Sequence, residues 1–502
     1  MATKKDDRVL DHLGSSAAGF IKRIVSCMRY RRKVQLDVQA ELASHFEDEI
    51  RGAASESERD ERVEKLIAEF GDVEQLAVLL RRAKKRCRPL WAKVIVRSLQ
   101  CAGLVVLSFV LYTIWFVSGE PHVRVDYIAM LNQMSRPDVL RQDNAWPHYE
   151  KAAQLLVEPS EELERSAFYN GSRSSEYRAF GMLGESEQDL IQGWLAQNSE
   201  SWPEYVAGSS KSYCYREYGC DPNGAPEDRW VMNVLLPHLR SLKTLARVGK
   251  WRAGVAMHSG DVQEAVEDCL VVARVGGHWQ GGGALVEQLV GASISGLARV
   301  LIIDIVASGK LSSGQLNNLQ GELRAIHADG YPLAEIEFER LAFLDVVQNV
   351  FTDGGPGGGH LVPGRWDFIE DFGNYADGND EIILWPIQTA ASMVHAGRKK
   401  TVAKFDEIFE DAADVVKMTP HAVHVKQLDP EKRLWELSQY RYYVIHRMMP
   451  ALTRVGEICF RGKVTHEATL MIIALERWRL DKGGYPASAG ELVSGGYLGE
   501  LP

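Results

Sequence analysis

Apolar side chains fall along this chain in two patterns, at helical spacing and in one unbroken run, and each predicts a different environment. Over residues 34–80 they return at helical spacing. Val34, Leu36, Val38, Leu42, Phe46 and Ile50 give one helix an apolar face, and Gly52 stops it. Ser55 in the run SESE caps a second helix, which carries Val63, Leu66, Ile67 and Phe70 and ends at Gly71. Asp72 caps a third, with Val73, Leu76, Ala77 and Leu80 turned inward. Three such helices make a small bundle of about 50 residues, a size that is marginal alone. The helical domain is placed at residues 1–86, with a basic linker over 87–97.

From Ser98 to Gly119 the periodicity disappears. The 22 residues between Arg97 and Glu120 (SLQCAGLVVLSFVLYTIWFVSG) carry no charge. A helix of that length rises roughly 33 Å, enough to cross a hydrocarbon core, so 98–119 is read as a transmembrane helix. Residues 120–235 are mixed, with Pro137, Pro147, Pro159 and Pro203 breaking helical pieces. Helical rhythm returns over 236–350. There, two amphipathic helices meet at Ser259-Gly260-Asp261, and Ala253, Ala256 and Ala265 permit a close approach. Residues 285–308 are apolar, yet Glu287, Arg299 and Asp304 argue against a second span. A glycine-rich and acidic loop over 351–385 follows, and helices resume after Pro386 in the region 386–502. A last long helix carries Leu470, Ile473, Ala474, Leu475, Trp478 and Leu480. Gly483-Gly484 ends it, and a short helix at 487–493 follows. The fold class expected is mainly α: a small helical bundle, one transmembrane helix and a large helical domain.

Charge sets the orientation. Residues 1–97 hold 21 Lys and Arg against 16 Asp and Glu, whereas the remainder holds 37 against 52. Arg81, Arg82, Lys84, Lys85, Arg86, Arg88, Lys93 and Arg97 crowd the N-terminal side of the apolar run. Such a cluster keeps its side of the helix in the cytoplasm. The expectation is an uncleaved signal anchor in the inner membrane, N-terminus cytoplasmic and C-terminal domain exported. Bases massed at a membrane edge favour an anionic leaflet rather than direct nucleic-acid binding. Of seven cysteines, Cys214 and Cys220 fall in the exported part, where a disulfide is expected, while Cys269 and Cys459 read as small core residues.

Three segments resemble known families. The acidic helix with Glu41, His45, Phe46 and Glu49, then Gly52, Leu66 to Phe70, Gly71-Asp72 and Leu76-Ala77, is similar to an alpha-helical signalling domain. That domain is found beside PadR-type helix-turn-helix regulators and as a prefix on permeases. The usual Leu-Gly-Asp-Pro is Phe70-Gly71-Asp72-Val73 here. The resemblance implies a cytoplasmic protein partner, of which a helix-turn-helix regulator is one kind, met by His45, Phe46 and Glu49. The segment around Gly260 resembles one tetratricopeptide-like hairpin. The segment from His466 with Gly484-Tyr485-Pro486 resembles a pseudopilin-like module, which brings envelope proteins in as further partners. Taken together, the exported part resembles large single-pass membrane proteins of planctomycete-like bacteria with no known activity.

Motifs for chemistry are weak. The glycines 354–359 lack a following Gly-Lys-Ser/Thr and read as a flexible loop, with His360 reachable by solvent. His421 and His424 lack a third ligand, and Asp377, Asn379, Asp380 and Glu381 do not keep a calcium-loop register. Glu335 and Glu339 would share a helix face. No cofactor, metal or catalytic residue is assigned. The function expected is signalling or tethering through one membrane helix. The alternatives are a structural component of an envelope assembly, or an exported hydrolase built around His360 and Glu335.

Overall fold

The structure, a computed structural model, describes residues 10, 12–86, 90–136, 141–165, 179–225, 229–234, 236–366, 369, 381–449 and 451–501. It is mostly helical, and no strand occurs among the described residues; only isolated β-bridges do. The chain divides into two compact units, Met1–Ile114 and Trp115–Pro502. Helices of nine residues or more are numbered α1–α17.

In the first unit, α2 (Arg32–Ile50), α3 (Glu56–Phe70) and α4 (Val73–Arg86) follow the apolar rhythm. Their ends are set locally. Gly52 and Gly71 take positive φ, the Ser55 hydroxyl accepts the Glu58 N–H at 3.3 Å, and Asp72 accepts the Glu74 N–H at 2.7 Å. The bundle has a further member, α1 (Ser15–Cys27), which places Ala17, Phe20, Ile21 and Ile24 in the same core as Val38, Leu42, Phe46 and Leu66. Phe46 stacks on Phe70 at 5.8 Å and meets Phe20 edge-on at 6.1 Å. The chain then enters α5 (Leu90–Val117), 28 residues long. Its apolar stretch is unburied: Leu99 is 67 % exposed and Val105 68 %.

The second unit begins with the short helices α6 (Tyr127–Ser135), α7 (Trp146–Gln154), α8 (Glu185–Gln197) and α9 (Ser201–Ser209). Of these, α7, α8 and α9 cover a hairpin of α10 (His238–Ser259) and α11 (Val262–His278), whereas Leu131 of α6 packs with Tyr218, Val231 and Leu341. Gly260 turns this hairpin at φ 87°, and the Asp261 carboxylate caps α11 by accepting the Glu264 N–H at 3.0 Å. The buried Ala253, Ala256 and Ala265 line its seam. The next helix, α12 (Leu285–Ala307), approaches α11 almost backbone to backbone: a Cβ on Gly276 would stand 2.6 Å from the Ser295 nitrogen and 2.9 Å from the Gly291 carbonyl. Both α5 and α12 are long and apolar enough to cross a membrane, but half of the apolar stretch of α12 is buried within the unit. Then come α13 (Ser313–Ile326), α14 (Glu337–Val350), α15 (Glu381–Val394), α16 (Arg398–Val416) and the 31-residue α17 (Leu452–Lys482). A second core joins α14, α16 and α17 through Phe343, Phe405, Phe409 and Val455, with Phe343 and Phe405 stacked at 3.6 Å.

Several expectations need correction. Pro386 lies inside α15 rather than ahead of it, and α17 starts at Leu452, well before the predicted last helix. Cys214 and Cys220 are free thiols, the first packed against the main core and the second donating to the Trp230 carbonyl at 3.4 Å. The glycine loop is fastened at both ends. Thr352 pairs with Pro121, and Phe351 with Leu361. Gly359 has φ 130°, and a Cβ there would lie 2.0 Å from the Thr352 carbonyl oxygen, so only glycine closes this turn.

Candidate functional site

On the first unit the three residues assigned to partner binding separate. His45 and Glu49 are exposed on α2, whereas Phe46 is fully buried at the bundle centre. A partner therefore cannot touch Phe46 without opening the bundle, and its role there is packing. The same helix carries acids that are already engaged within the unit: Glu41 pairs with Lys84, and Glu47 with His12.

On the second unit, polar groups gather where α12 begins. Glu287, on the first turn of α12, folds back to accept the Ala284 N–H at 3.0 Å and the Tyr218 hydroxyl at 2.7 Å. The His238 Nε2 lies 3.2 Å from its other oxygen, and Glu287 and His238 are only 2 % and 5 % exposed. The Arg216 guanidinium lies 5.7 Å from the rings of both Trp146 and Tyr218. Gly283 permits this convergence, since a Cβ there would stand 2.6 Å from both Glu287 Oε2 and Tyr218 Oη. Gln288 stitches in the preceding loop, donating to the Gly283 and Glu335 carbonyls at 3.0 and 2.6 Å. Beside the cluster opens a cleft of about 350 Å³, lined among others by Arg216, Tyr218, His278, Glu287, Glu335 and Glu337.

The electrostatics of this region follow from burial. Glu339, on α14, accepts the Leu285 N–H at 2.8 Å, but its second oxygen is buried with no hydrogen bond. Desolvation, with Glu287 and Glu335 nearby, pushes its carboxyl up to about 8, so it stays protonated at neutral pH. Burial holds His238 below the usual imidazole range despite Glu287. His278 is pushed down to about 4 by burial, and both its nitrogens are used, by the Tyr149 hydroxyl at 2.7 Å and the Lys211 carbonyl at 2.9 Å. The Cys214 thiol is raised by burial, which keeps it out of the thiolate form. The cleft thus offers a cation, aromatic faces and carboxylates to a polar ligand, while its nucleophile-type groups are tied up in the fold.

The remaining candidates lie elsewhere. Glu335 precedes α14 rather than sharing its face with Glu339, and its carboxylate accepts the Ile336 and Glu337 N–H groups at 2.9 and 3.1 Å. His360, which the sequence left open to solvent, stacks on Phe116 at 4.1 Å. Its Nε2 lies 2.8 Å from the Phe116 carbonyl and its Nδ1 3.3 Å from the Thr352 hydroxyl. It is not among the residues lining the cleft that Glu335 joins. His421 and His424 sit on the short helix Pro420–Lys426, and among the described residues no group of three His, Cys, Asp or Glu is arranged to hold a metal. Asp377, Asn379 and Asp380 lie outside the described residues. Sequence reasoning missed Arg216, Tyr218, His238 and Glu339 as a group, because they gather around Glu287 from about 50 to 70 residues away along the chain. The available signal was Glu287 itself, a carboxylate opening an otherwise apolar helix. Compared with protein-family models, curated proteins and solved structures, the chain matches none.

Proposed function

We propose that the chain is a single-pass membrane protein that couples an exported helical binding domain to a cytoplasmic interaction bundle. The observation that carries this reading is α5: an apolar helix left unburied in a chain whose two units each have their own core. In water that surface would cost about 25 cal/mol per Å² of apolar area, whereas lipid tails match it and the helix satisfies its own backbone. The bases that precede it favour a cytoplasmic N-terminus. The exposed His45 and Glu49 supply a polar face for a protein partner, supported by the Phe46–Phe70 stack beneath. In this reading α12 is a core helix, since Glu287 and Arg299 are buried among protein groups.

Two measurements test the proposal. Labelling of single cysteines by a membrane-impermeant maleimide in intact spheroplasts is expected to modify a cysteine introduced at Glu120 and to spare one introduced at Glu49. The reverse pattern, or modification of neither, would overturn the topology. Affinity capture through an N-terminal tag is expected to recover a soluble partner that deletion of residues 34–80 releases. Capture that persists after this deletion would move the interaction to the second unit.

A further inference from the structure

A second cavity, of about 640 Å³, lies between α10, α12 and α17. Its charged wall has one sign. Lys243 and Arg247 come from α10, Arg299 from α12 and Arg461 from α17, and no Asp or Glu is among its lining residues. Arg299 decides what this means. It is only 8 % exposed, and its polar neighbour is a phenol, the Tyr331 hydroxyl, 3.5 Å from Nη1. His327 and His466 flank that tyrosine, their rings 4.5 and 5.6 Å from it, and burial keeps both neutral at pH 7. Arg299, Lys243 and Arg461 make no ion pair with a carboxylate among the described residues. Burying a guanidinium without a counter-charge is unfavourable by more than one phenol returns. The other arm of its fork lies beside Gly296, which lines the cavity, with Nη2 3.9 Å from where a Cβ would stand. On α17, Gly462 leaves room for the Tyr331 hydroxyl; a Cβ there would stand 2.6 Å away.

The rest of the wall is mainly apolar, apart from the hydroxyls of Ser293, Thr465 and Thr469, and part of it is shared. Leu297 and Val300 also line an adjoining cavity of about 460 Å³, whose walls include Phe180, Trp251, Met257 and Leu301. The polar residues there are Lys250, His258 and the exposed Asp304. A cationic chamber that shares Leu297 and Val300 of one helix with an apolar chamber matches a ligand with an acidic head and a hydrocarbon tail. We propose that the two cavities form one site for an anionic amphiphile. A carboxylate or phosphate head meets the Arg299 fork, with Lys243 and Arg461 at the rim, and the tail runs over Leu297 and Val300 into the second chamber. The assignment does not depend on which side of a membrane the unit occupies, nor on the coupling role proposed above.

The test uses the full chain in phosphatidylcholine nanodiscs and cis-parinarate, a fluorescent long-chain carboxylate, with protein-free discs as background. Saturable binding above background is expected. Dodecyl phosphate should displace the probe at least ~10-fold more effectively than inorganic phosphate or dodecanol, because only it satisfies both chambers. Arg299→Gln is expected to abolish binding. Since that change sits in the core, the exposed pair is the control: K243Q/R461Q keeps its thermal melt and weakens binding about 10-fold. Val300→Trp, which fills the passage, should remove probe binding in a chain that still melts cooperatively. Absence of saturable binding would overturn the proposal. So would displacement by phosphate or by dodecanol as effective as that by dodecyl phosphate, or unchanged affinity in K243Q/R461Q.

Discussion

Replacing Glu339 by glutamine isolates the electrostatics of the buried cluster. In the folded chain this carboxyl is pushed up to about 8 from its ordinary 4.5, with burial the largest cause. The folded state therefore holds a proton that the unfolded state has already released. Its contribution to stability is fully present below about pH 4.5, falls as pH rises, and is gone above about pH 8. Each unit of that interval is worth about 1.4 kcal/mol, so between pH 6 and pH 9 the native chain should lose roughly 2–3 kcal/mol through this one group. Glutamine keeps an acceptor for the Leu285 N–H and cannot ionise. The measurement is urea unfolding of the detergent-solubilised protein followed by tryptophan fluorescence. Only Trp91 precedes residue 115, so the signal reports the second unit. The expected result is a variant that gains on wild type by about 2–3 kcal/mol on going from pH 6 to pH 9. A stability difference that is the same at both pH values would refute the reasoning, because it would mean that Glu339 is ionised in the fold.

Other consequences are as direct. Phe46→Ala should cost about 3–5 kcal/mol and abolish amide protection across α1–α4 in hydrogen exchange, whereas Glu49→Ala should leave that protection unchanged. His278, His327, His395 and His466 are all pushed down to about 4 by burial, so the stability they contribute is present above their ordinary 6.5 and lost as pH falls toward 4. Circular dichroism melts should show a steep decline over that interval, shallower in His327→Phe. Gly359→Ala places a Cβ against the Thr352 carbonyl and should lower the melting temperature of the second unit by several degrees. Because Cys214 and Cys220 are free thiols, a reducing agent should leave the melting temperature unchanged.

What could be read from the sequence was whatever is settled within a few residues. Ser55, Gly52, Gly71 and Asp72 act on their immediate neighbours, so the ends of α2, α3 and α4 could be placed from them. The helix α1 escaped because Lys22 and Arg23 interrupt its apolar face and its partners lie on three other helices. Pro386 misled because a proline removes an intrahelical N–H bond and so reads as a break, yet α15 runs through it, with Pro386 as its sixth residue. The glycine loop misled in the opposite way: its glycines read as freedom, yet Gly359 is used for a backbone angle that fixes the turn. The cluster around Glu287 and the cationic chamber around Arg299 unite α10, α12 and α17 with residues far along the chain, and no local pattern encodes such meetings. What the sequence did show was that charged residues interrupt the apolar run of α12, and both sites are built on them.

Arg299 also bears on how the chain is sorted as it is made. Among the described residues, two helices, α5 and α12, satisfy the length and apolarity that an insertion channel reads. Arg299 stands near the middle of α12, where an arginine disfavours lateral release into lipid by about 2.5–3.5 kcal/mol. If the second unit is exported as proposed, that one guanidinium lets the nascent chain keep moving through the channel after α5 has been partitioned. Arg299→Leu would then turn α12 into a stop-transfer sequence, leaving the residues beyond it stranded on the wrong side.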